Sequence, residues 1–339
     1  MTVRKRARII YNPTSGRETF RSDLVDILSI YEKAGYETSA FATTPAPDSA
    51  KNEATRAAKE GFDLIVAAGG DGTLNEVING VAGLEHRPTL AIIPAGTTND
   101  YARALRIPRD DPIAAAKLIL KKNKKFKIDI GKAGENYFMN IAAGGTMTEL
   151  TYEVPSQMKS LFGYAAYFAK GAELIPRIKP IEMQIKYDGK EYRGNATMFM
   201  IALTNSVGGF EQIVPDASLD DGKFTMIIVK KTNMIDMLSL MAKALQGKHL
   251  DDPRIIYEKA TDIEVIPLNK DDRLMVNLDG EYGGDAPMEF HDLKQHIEVV
   301  ANLDEIPDDA ITVSDDFKRV EQDFVKSVDD IKDREEKQN

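Results

Sequence analysis

Short apolar runs alternate with stretches of helical period along the first third of the chain. Ala7-Arg8-Ile9-Ile10-Tyr11 has the pattern of a strand, and the turn Asn12-Pro13-Thr14-Ser15-Gly16 follows it. A helical period over residues 20–34 stops before Gly35, and a second strand pattern covers 37–43. A further helical stretch, 50–60, leads into Phe62-Asp63-Leu64-Ile65-Val66-Ala67-Ala68, an apolar run of the kind a strand shows when both its faces are buried. Another helix starts near Thr73, and Thr89-Leu90-Ala91-Ile92-Ile93-Pro94 is again a buried strand. Strands spaced by helical segments predict βαβ units and a parallel sheet.

After Lys121-Lys122-Asn123-Lys124-Lys125 the pattern changes. Short strand patterns recur at 127–131, 136–143, 182–187, 196–204, 223–229, 262–266, 273–278 and 296–301. The pairs Asp188-Gly189, Asp221-Gly222 and Asp279-Gly280 favour hairpins between them. Two helical stretches interrupt this region, at 156–175 and 233–246. The pattern predicts a second, mainly antiparallel β domain, with the boundary near residue 126. The segment 304–339 has helical period at 315–328 and is read as a tail, with the first domain as its candidate docking surface.

Composition narrows the chemistry. The chain has 339 residues, 42% hydrophobic and 29% charged, as expected of a folded water-soluble protein of two domains. It contains no cysteine, which excludes disulfides and cysteine-ligated metal and is compatible with a reducing cytoplasm. No apolar run reaches the ~20 residues that a membrane-crossing helix needs, and the basic N-terminus lacks the form of a signal peptide. The net charge is −10, and the tail accounts for most of it, with thirteen Asp or Glu against six Lys or Arg. A nucleic-acid partner is not expected of such a chain, whereas an anionic membrane surface requires only a local basic face.

The strongest chemical signal is Gly69-Gly70-Asp71-Gly72-Thr73-Leu74-Asn75-Glu76, placed between a buried strand and a helix. Glycines let the main chain approach a phosphate closely, and the helix that follows presents free N–H groups and its positive end. Asp71 could hold magnesium or a water against the phosphates. A plain strand-to-helix turn would have the same glycines. The loop does not have dinucleotide G-x-G-x-x-G spacing, because Asn75 stands at the third position, and it lacks the Gly-Lys-Ser/Thr of a Walker loop.

Pro94-Ala95-Gly96-Thr97-Thr98-Asn99-Asp100-Tyr101-Ala102-Arg103 follows the next strand; a helix from about Thr98 would set Asn99 and Arg103 on one face. Asp100 would then stand near Asp71, since ligands of open parallel sheets bind beyond the carboxyl ends of neighbouring strands. Asn12 to Gly16 is a third loop suited to an anion. The four histidines, His86, His249, His291 and His296, lie away from these loops at spacings unlike a ligand set, so a proton acceptor would have to be a carboxylate.

These motifs, together with Leu219-Asp220-Asp221-Gly222 and Leu278-Asp279-Gly280-Glu281-Tyr282, resemble those of the diacylglycerol kinase catalytic domain superfamily. That superfamily also holds sphingosine and ceramide kinases and is related in fold to NAD kinase and phosphofructokinase. The chain is most similar to the soluble diacylglycerol kinases of Gram-positive bacteria, over residues 4–303. The resemblance implies an α/β fold: a doubly wound parallel-sheet ATP-binding domain at 1–126 and a mainly antiparallel β-sandwich domain at 127–303, as in NAD kinase and diacylglycerol kinase. It implies ATP-dependent phosphorylation of diacylglycerol to phosphatidic acid in phospholipid metabolism.

By the same resemblance, ATP lies against Asn12, Pro13, Thr14, Ser15, Gly16, Thr43, Gly70, Asp71, Gly72, Thr73, Leu74, Asn75, Glu76 and Thr97, and Arg103 is counted with them. Asp71 and Asp100 organise the active-site Mg2+ and its water, and Glu281 is the general base. A separate Mg2+ is held by Asp221 with main-chain carbonyls of Ser218 and Lys223. The residue after Gly16 departs from the pattern: it is Arg17 where lysine is expected. A homodimer is also implied. Glu281 on its own would pass for an exposed residue after a hairpin turn.

Met158 to Lys170 is amphipathic and aromatic, which suits an anionic lipid surface, with Lys159 and Lys170 as the contacts. Leu161, Tyr164 and Phe168 suit a buried core equally well. The run Lys121 to Lys127 could assist at the membrane or be a solvated linker. The expected location is cytoplasmic, peripheral to the inner face of the plasma membrane. The rival functions are an NAD kinase and a non-catalytic lipid- or nucleotide-binding regulator. The Asp-Gly-Glu segment weighs against the first, and the intact set Asp71, Asp100 and Glu281 against the second.

Overall fold

The computed structural model describes residues 4–15, 20–121, 124–145, 179–205, 213–232, 234–245 and 247–302. The sequence-predicted helices at 156–175 and 315–328 lie outside these residues.

The first strands are β1 (Lys5–Tyr11), β2 (Tyr36–Ala42), β3 (Leu64–Gly69) and β4 (Thr89–Pro94), paired in parallel in the order β2-β1-β3-β4. Every residue of β3 and β4 is buried, as their unbroken apolar runs require. The helices are α1 (Phe20–Lys33), α2 (Ser49–Lys59), α3 (Asp71–Val81), α4 (Asp100–Ala104) and α5 (Pro112–Lys117). Because β1 lies between β2 and β3, the first two crossovers run in opposite directions across the sheet. Right-handed connections then place α1 and α2 on opposite faces. In agreement, α1 packs with α5, and α2 packs with α3. The α2–α3 contact needs Gly80, where an added Cβ would lie 2.4 Å from the Lys51 carbonyl oxygen.

The remaining strands are antiparallel apart from one joint. They are β5 (Lys125–Ala133), β6 (Asn136–Phe138), β7 (Ile141–Gly145), β8 (Ile181–Tyr187), β9 (Lys190–Ala202), β10 (Phe224–Lys230), β11 (Ile255–Ala260), β12 (Asp262–Pro267), β13 (Met275–Leu278), β14 (Glu281–Asp285) and β15 (Met288–Val300). The helix α6 (Met234–Leu245) lies between β10 and β11. Phe138, Phe199, Phe224 and Phe290 are fully buried in the core of this half. Phe138 and Phe224 stack at 5.7 Å between ring centroids, and Phe290 meets Phe138 edge-on at 6.4 Å.

The joint is β15. Along its length it pairs antiparallel with β12 and β5, and at Val299 it pairs parallel with Leu90 of β4, so the described strands form one continuous sheet. The core of the parallel half therefore extends into Ile128 and Ile130 of β5 and Ile297 and Val299 of β15.

Two of the three Asp-Gly pairs form the expected hairpins. Asp188-Gly189 joins β8 to β9 with φ of 43° and 81°, and Asp279-Gly280 joins β13 to β14 with φ of 52° and 97°. Asp221-Gly222 does not join paired strands; the Gly222 N–H is donated to the Asp129 carboxylate at 2.6 Å. The strand read at 136–143 is interrupted at Met139 and Asn140, whose N–H groups turn to the Asp279 side chain. No described helix is long and apolar enough to cross a membrane.

Candidate active site

The carboxyl ends of the four parallel strands bring three of the predicted loops side by side. The Asn12 N–H is donated to the Ala68 carbonyl at 3.0 Å, and the Thr43 N–H to the Tyr11 carbonyl at 2.9 Å. The Asn12 carboxamide oxygen accepts both the N–H and the hydroxyl of Thr14 at 2.9 Å, which shapes the loop. The Ala95 N–H is donated to the Gly69 carbonyl at 2.8 Å. Above this contact, Gly70 and Gly96 pass backbone against backbone: a Cβ on Gly96 would lie 2.6 Å from the Gly70 Cα. Gly69 is equally constrained, since its Cβ would meet the Thr73 hydroxyl at 2.4 Å. Glycine here serves the packing of one phosphate-type loop on the next.

Asn99 locks the second loop. It is buried, has φ of 49°, accepts the Gly96 N–H at 2.9 Å and donates to the Gly96 carbonyl at 2.8 Å. With Asn99 as N-cap, α4 starts at Asp100 rather than at Thr98. The Asn99 and Tyr101 main-chain N–H groups both point to the Asp71 carboxylate. Burial, then the charges of Asp100 and Asp279, nevertheless push Asp71 up to about 6. Glu281 follows the β13–β14 turn and reaches over the glycine loop: a Cβ at Gly72 would stand 3.7 Å from Glu281 Oε1. Its carboxyl is raised by partial burial against that loop and by the neighbouring Glu76. Three acidic groups from distant parts of the chain thus face the start of α3.

The other predicted residues divide. Thr97 is exposed, Leu74 belongs to the core, and the Arg103 Nε is buried without a hydrogen-bond partner among the described residues. The Glu76 carboxylate accepts the Ala50 N–H at 2.8 Å and the Lys51 N–H at 3.4 Å, at the start of α2. Gly16, Arg17, Lys159 and Lys170 lie outside the described residues. Two of the histidines make main-chain contacts, His249 to the Ile213 carbonyl and His296 to that of Ala82.

Asp279 is the residue that the turn reading missed. It is partly buried and accepts the main-chain N–H groups of Met139, Asn140 and Ile141 at 2.8, 2.9 and 2.9 Å, with the Asn75 amide at 3.3 Å. Burial still raises its carboxyl above the usual range. Asn79, one turn along α3, exchanges two hydrogen bonds of 2.9 Å with the main chain of Tyr137. Asn75 and Asn79, four apart on one helix face, are the sequence signal for this polar seam between α3 and the β half.

Around Asp221 a second acidic group forms. Its carboxylate accepts the Lys223 N–H at 3.1 Å and pairs with Lys259 at 2.9 Å, while the Ser218 hydroxyl is donated to Asp220 at 3.2 Å. Asp129 accepts the N–H groups of Gly222 and Gln295, each at 2.6 Å. Both carboxylate oxygens of Asp292 are buried with no hydrogen-bond partner among the described residues, and burial plus the charges of Asp129 and Asp221 push it up to about 7. No three carboxylate or imidazole side chains among the described residues form a ready-made metal set. A cation here would draw on main-chain carbonyls and water, and the unpartnered Asp292 carboxylate fits one.

Glycine-rich loops packed at the carboxyl edge of a parallel sheet, with carboxylates closing over them, define an enzyme of phosphoryl transfer. Residues 6–133 match the model of the diacylglycerol kinase catalytic domain, and 146–301 match the YegS C-terminal NAD kinase beta sandwich-like domain. The chain is 53% identical to a diacylglycerol kinase of Bacillus subtilis over 87% of its own length and 96% of the relative's. It is 49% identical to one from Staphylococcus aureus over 91% and 96%. A crystal structure of a diacylglycerol kinase from Bacillus anthracis superposes with a TM-score of 0.73 at 28% identity, covering 90% of this chain and all of that one. The chain belongs to the diacylglycerol kinase family.

Proposed function

We propose that the chain transfers the γ-phosphoryl group of ATP to the free hydroxyl of diacylglycerol, giving ADP and phosphatidic acid in bacterial phospholipid metabolism. The observation that supports this most is the convergence of Asp71, Asp100 and Glu281 on the mouth of the Gly69–Glu76 loop. ATP rests against the loops 12–16, 70–76 and 94–100. Glu281 accepts the lipid hydroxyl proton as the oxygen attacks the γ-phosphorus, and the bond to the ADP oxygen breaks. Its raised carboxyl makes it a better proton acceptor than a solvated glutamate.

Mg2+, when bound, neutralises charge on the phosphates. Asp71 and Asp100 would hold it or its water, and Asp221 with the Ser218 and Lys223 carbonyls would hold a second, structural ion. The 1–126 and 127–303 parts act as ATP and lipid halves. The enzyme works as a homodimer from the cytoplasmic face of the membrane, where Lys159 and Lys170 meet anionic lipid.

Labelled ATP offered with a panel of lipid alcohols in mixed micelles, and with NAD, tests the reading. Label should pass to dioleoylglycerol, and Asp71→Ala and Glu281→Gln should each lower turnover by about a hundredfold or more without altering the thermal melt. Label passing to NAD instead would overturn the substrate. Parental turnover in a folded Glu281→Gln protein would overturn its role.

A further inference from the structure

The second half of the basic run is not a solvated linker: Lys125 to Lys127 form the start of β5, and Lys124 immediately precedes it. Lys124 is buried, and Lys125 reaches Thr89 at 3.1 Å and Glu298 at 3.3 Å. Lys125 and Lys127 line a cavity of about 600 Å³ together with Arg106, which closes the end of α4. Among the described residues of that lining Asp220 is the one carboxylate, against Arg106, Lys127 and a Lys125 already paired with Glu298. The hydroxyls of Thr204 and Ser218 and the amide of Gln295 add polar groups, and Phe126, Ile128 and Leu219 supply an apolar wall. Few precisely placed polar groups over an apolar surface, in a volume of this size, are the makings of a small-ligand site. The charge selects an anion.

We infer that this cavity binds a phosphate group carried on a glycerol-sized body with a short apolar extension, as at an anionic phospholipid headgroup. The site is separate from the glycine-rich loops but connected to them. α4, whose last turn lines the cavity, begins at Asp100. The Thr204 hydroxyl is hydrogen-bonded to the Asn140 side chain, and the Asn140 N–H is donated to Asp279 at 2.9 Å. An occupant therefore touches elements that hold the catalytic carboxylates at their far ends. This second part rests on the kinase reading, whereas binding itself does not.

The test is binding to the full chain without ATP or turnover, so that it stands apart from the kinase assay. Calorimetric titration would use dihexanoyl phosphatidylglycerol below its micelle concentration, with inorganic phosphate and sn-glycerol 3-phosphate as separate arms. The lipid should fill one site per chain, with affinity falling as salt rises. Lys127→Glu, remote from the glycine loops, should weaken it about tenfold at unchanged basal turnover, and Lys127→Ala, which sets no like charge opposite Glu298, should weaken it at an unchanged melting temperature. Inorganic phosphate or glycerol phosphate binding as tightly as the lipid, and weakened equally by Lys127→Glu, would support the anion site and assign it to a soluble phosphate. No saturable binding in any arm, or binding indifferent to both Lys127→Glu and Lys127→Ala, would overturn the inference.

Discussion

Replacing Asp279 with asparagine isolates the polar seam that sets Glu281 over the glycine loop. In the parent, two carboxylate oxygens serve four donors: three main-chain N–H groups and the Asn75 amide. An asparagine keeps one oxygen, enough for the Asn140 and Ile141 pair or for the Met139 and Asn75 pair. Its NH2 group then faces two buried donors with nothing to accept them. An unsatisfied buried donor costs about 1–3 kcal/mol, and removing the buried charge offsets part of the total, so about 2–4 kcal/mol of stability should be lost. Urea unfolding followed by circular dichroism reads this directly as a lower midpoint at constant slope. Because Glu281 lies two residues on, kcat should fall about tenfold or more while KM for ATP moves little. A protein of merely reduced stability would keep kcat at temperatures well below its melt. An Asp279→Asn variant within about 0.5 kcal/mol of the parent, with parental kcat, would refute the reasoning.

Gly96→Ala should destabilise by about 1–3 kcal/mol and weaken ATP binding, since the new methyl group meets the Gly70 Cα at 2.6 Å and the Asn99 carboxamide oxygen at 2.8 Å. Thermal melts with and without ATP check both effects. In metal-free protein, Asp71 and Asp292 have folded pKa values near 6 and 7, above the unfolded carboxylate value, so their contribution is greatest in acid and is lost as pH rises from about 4 to 7. Asp252 works in the opposite sense, being held low by Arg254 and Lys243, so its contribution is full above about pH 4 and is lost progressively as the pH falls further. Urea titrations across that range should show a decline in the parent that is shallower in Asp292→Asn. Adding Mg2+ at pH 7.5 should raise the parent's melting temperature more than the variant's.

Much of this was legible in the chain, for identifiable reasons. β3 and β4 are enclosed on both faces, so their apolar runs are unbroken, and the strand–loop–helix order located Asp71 and Asp100 at neighbouring strand ends. Residues whose partners lie far away were harder to see. β14 is Glu-Tyr-Gly-Gly-Asp, with neither alternation nor branched side chains, and exists because β13 pairs with it. Asp279 has the local chemistry of a turn residue, and its partners Met139 to Ile141 lie about 140 positions earlier. The Glu76 carboxylate sits in the motif loop by sequence but serves the start of α2, a contact that no periodicity announces.

The strand that belongs to both halves also restricts how the molecule can deform. β15 and its partner β5 run from the Phe290 core to the edge of β4, and their pairing slips once, between Leu293 and Ile297. Gln295, at that slip, has φ of 48° and gives its N–H to Asp129, beside the acidic group at Asp221. Relative movement of the two lobes must therefore twist a two-stranded ribbon, as a leaf spring twists, instead of swinging on a slack tether. The break in that pairing lies beside the carboxylates of Asp129 and Asp292, so a cation bound there would brace the ribbon where its ladder is interrupted.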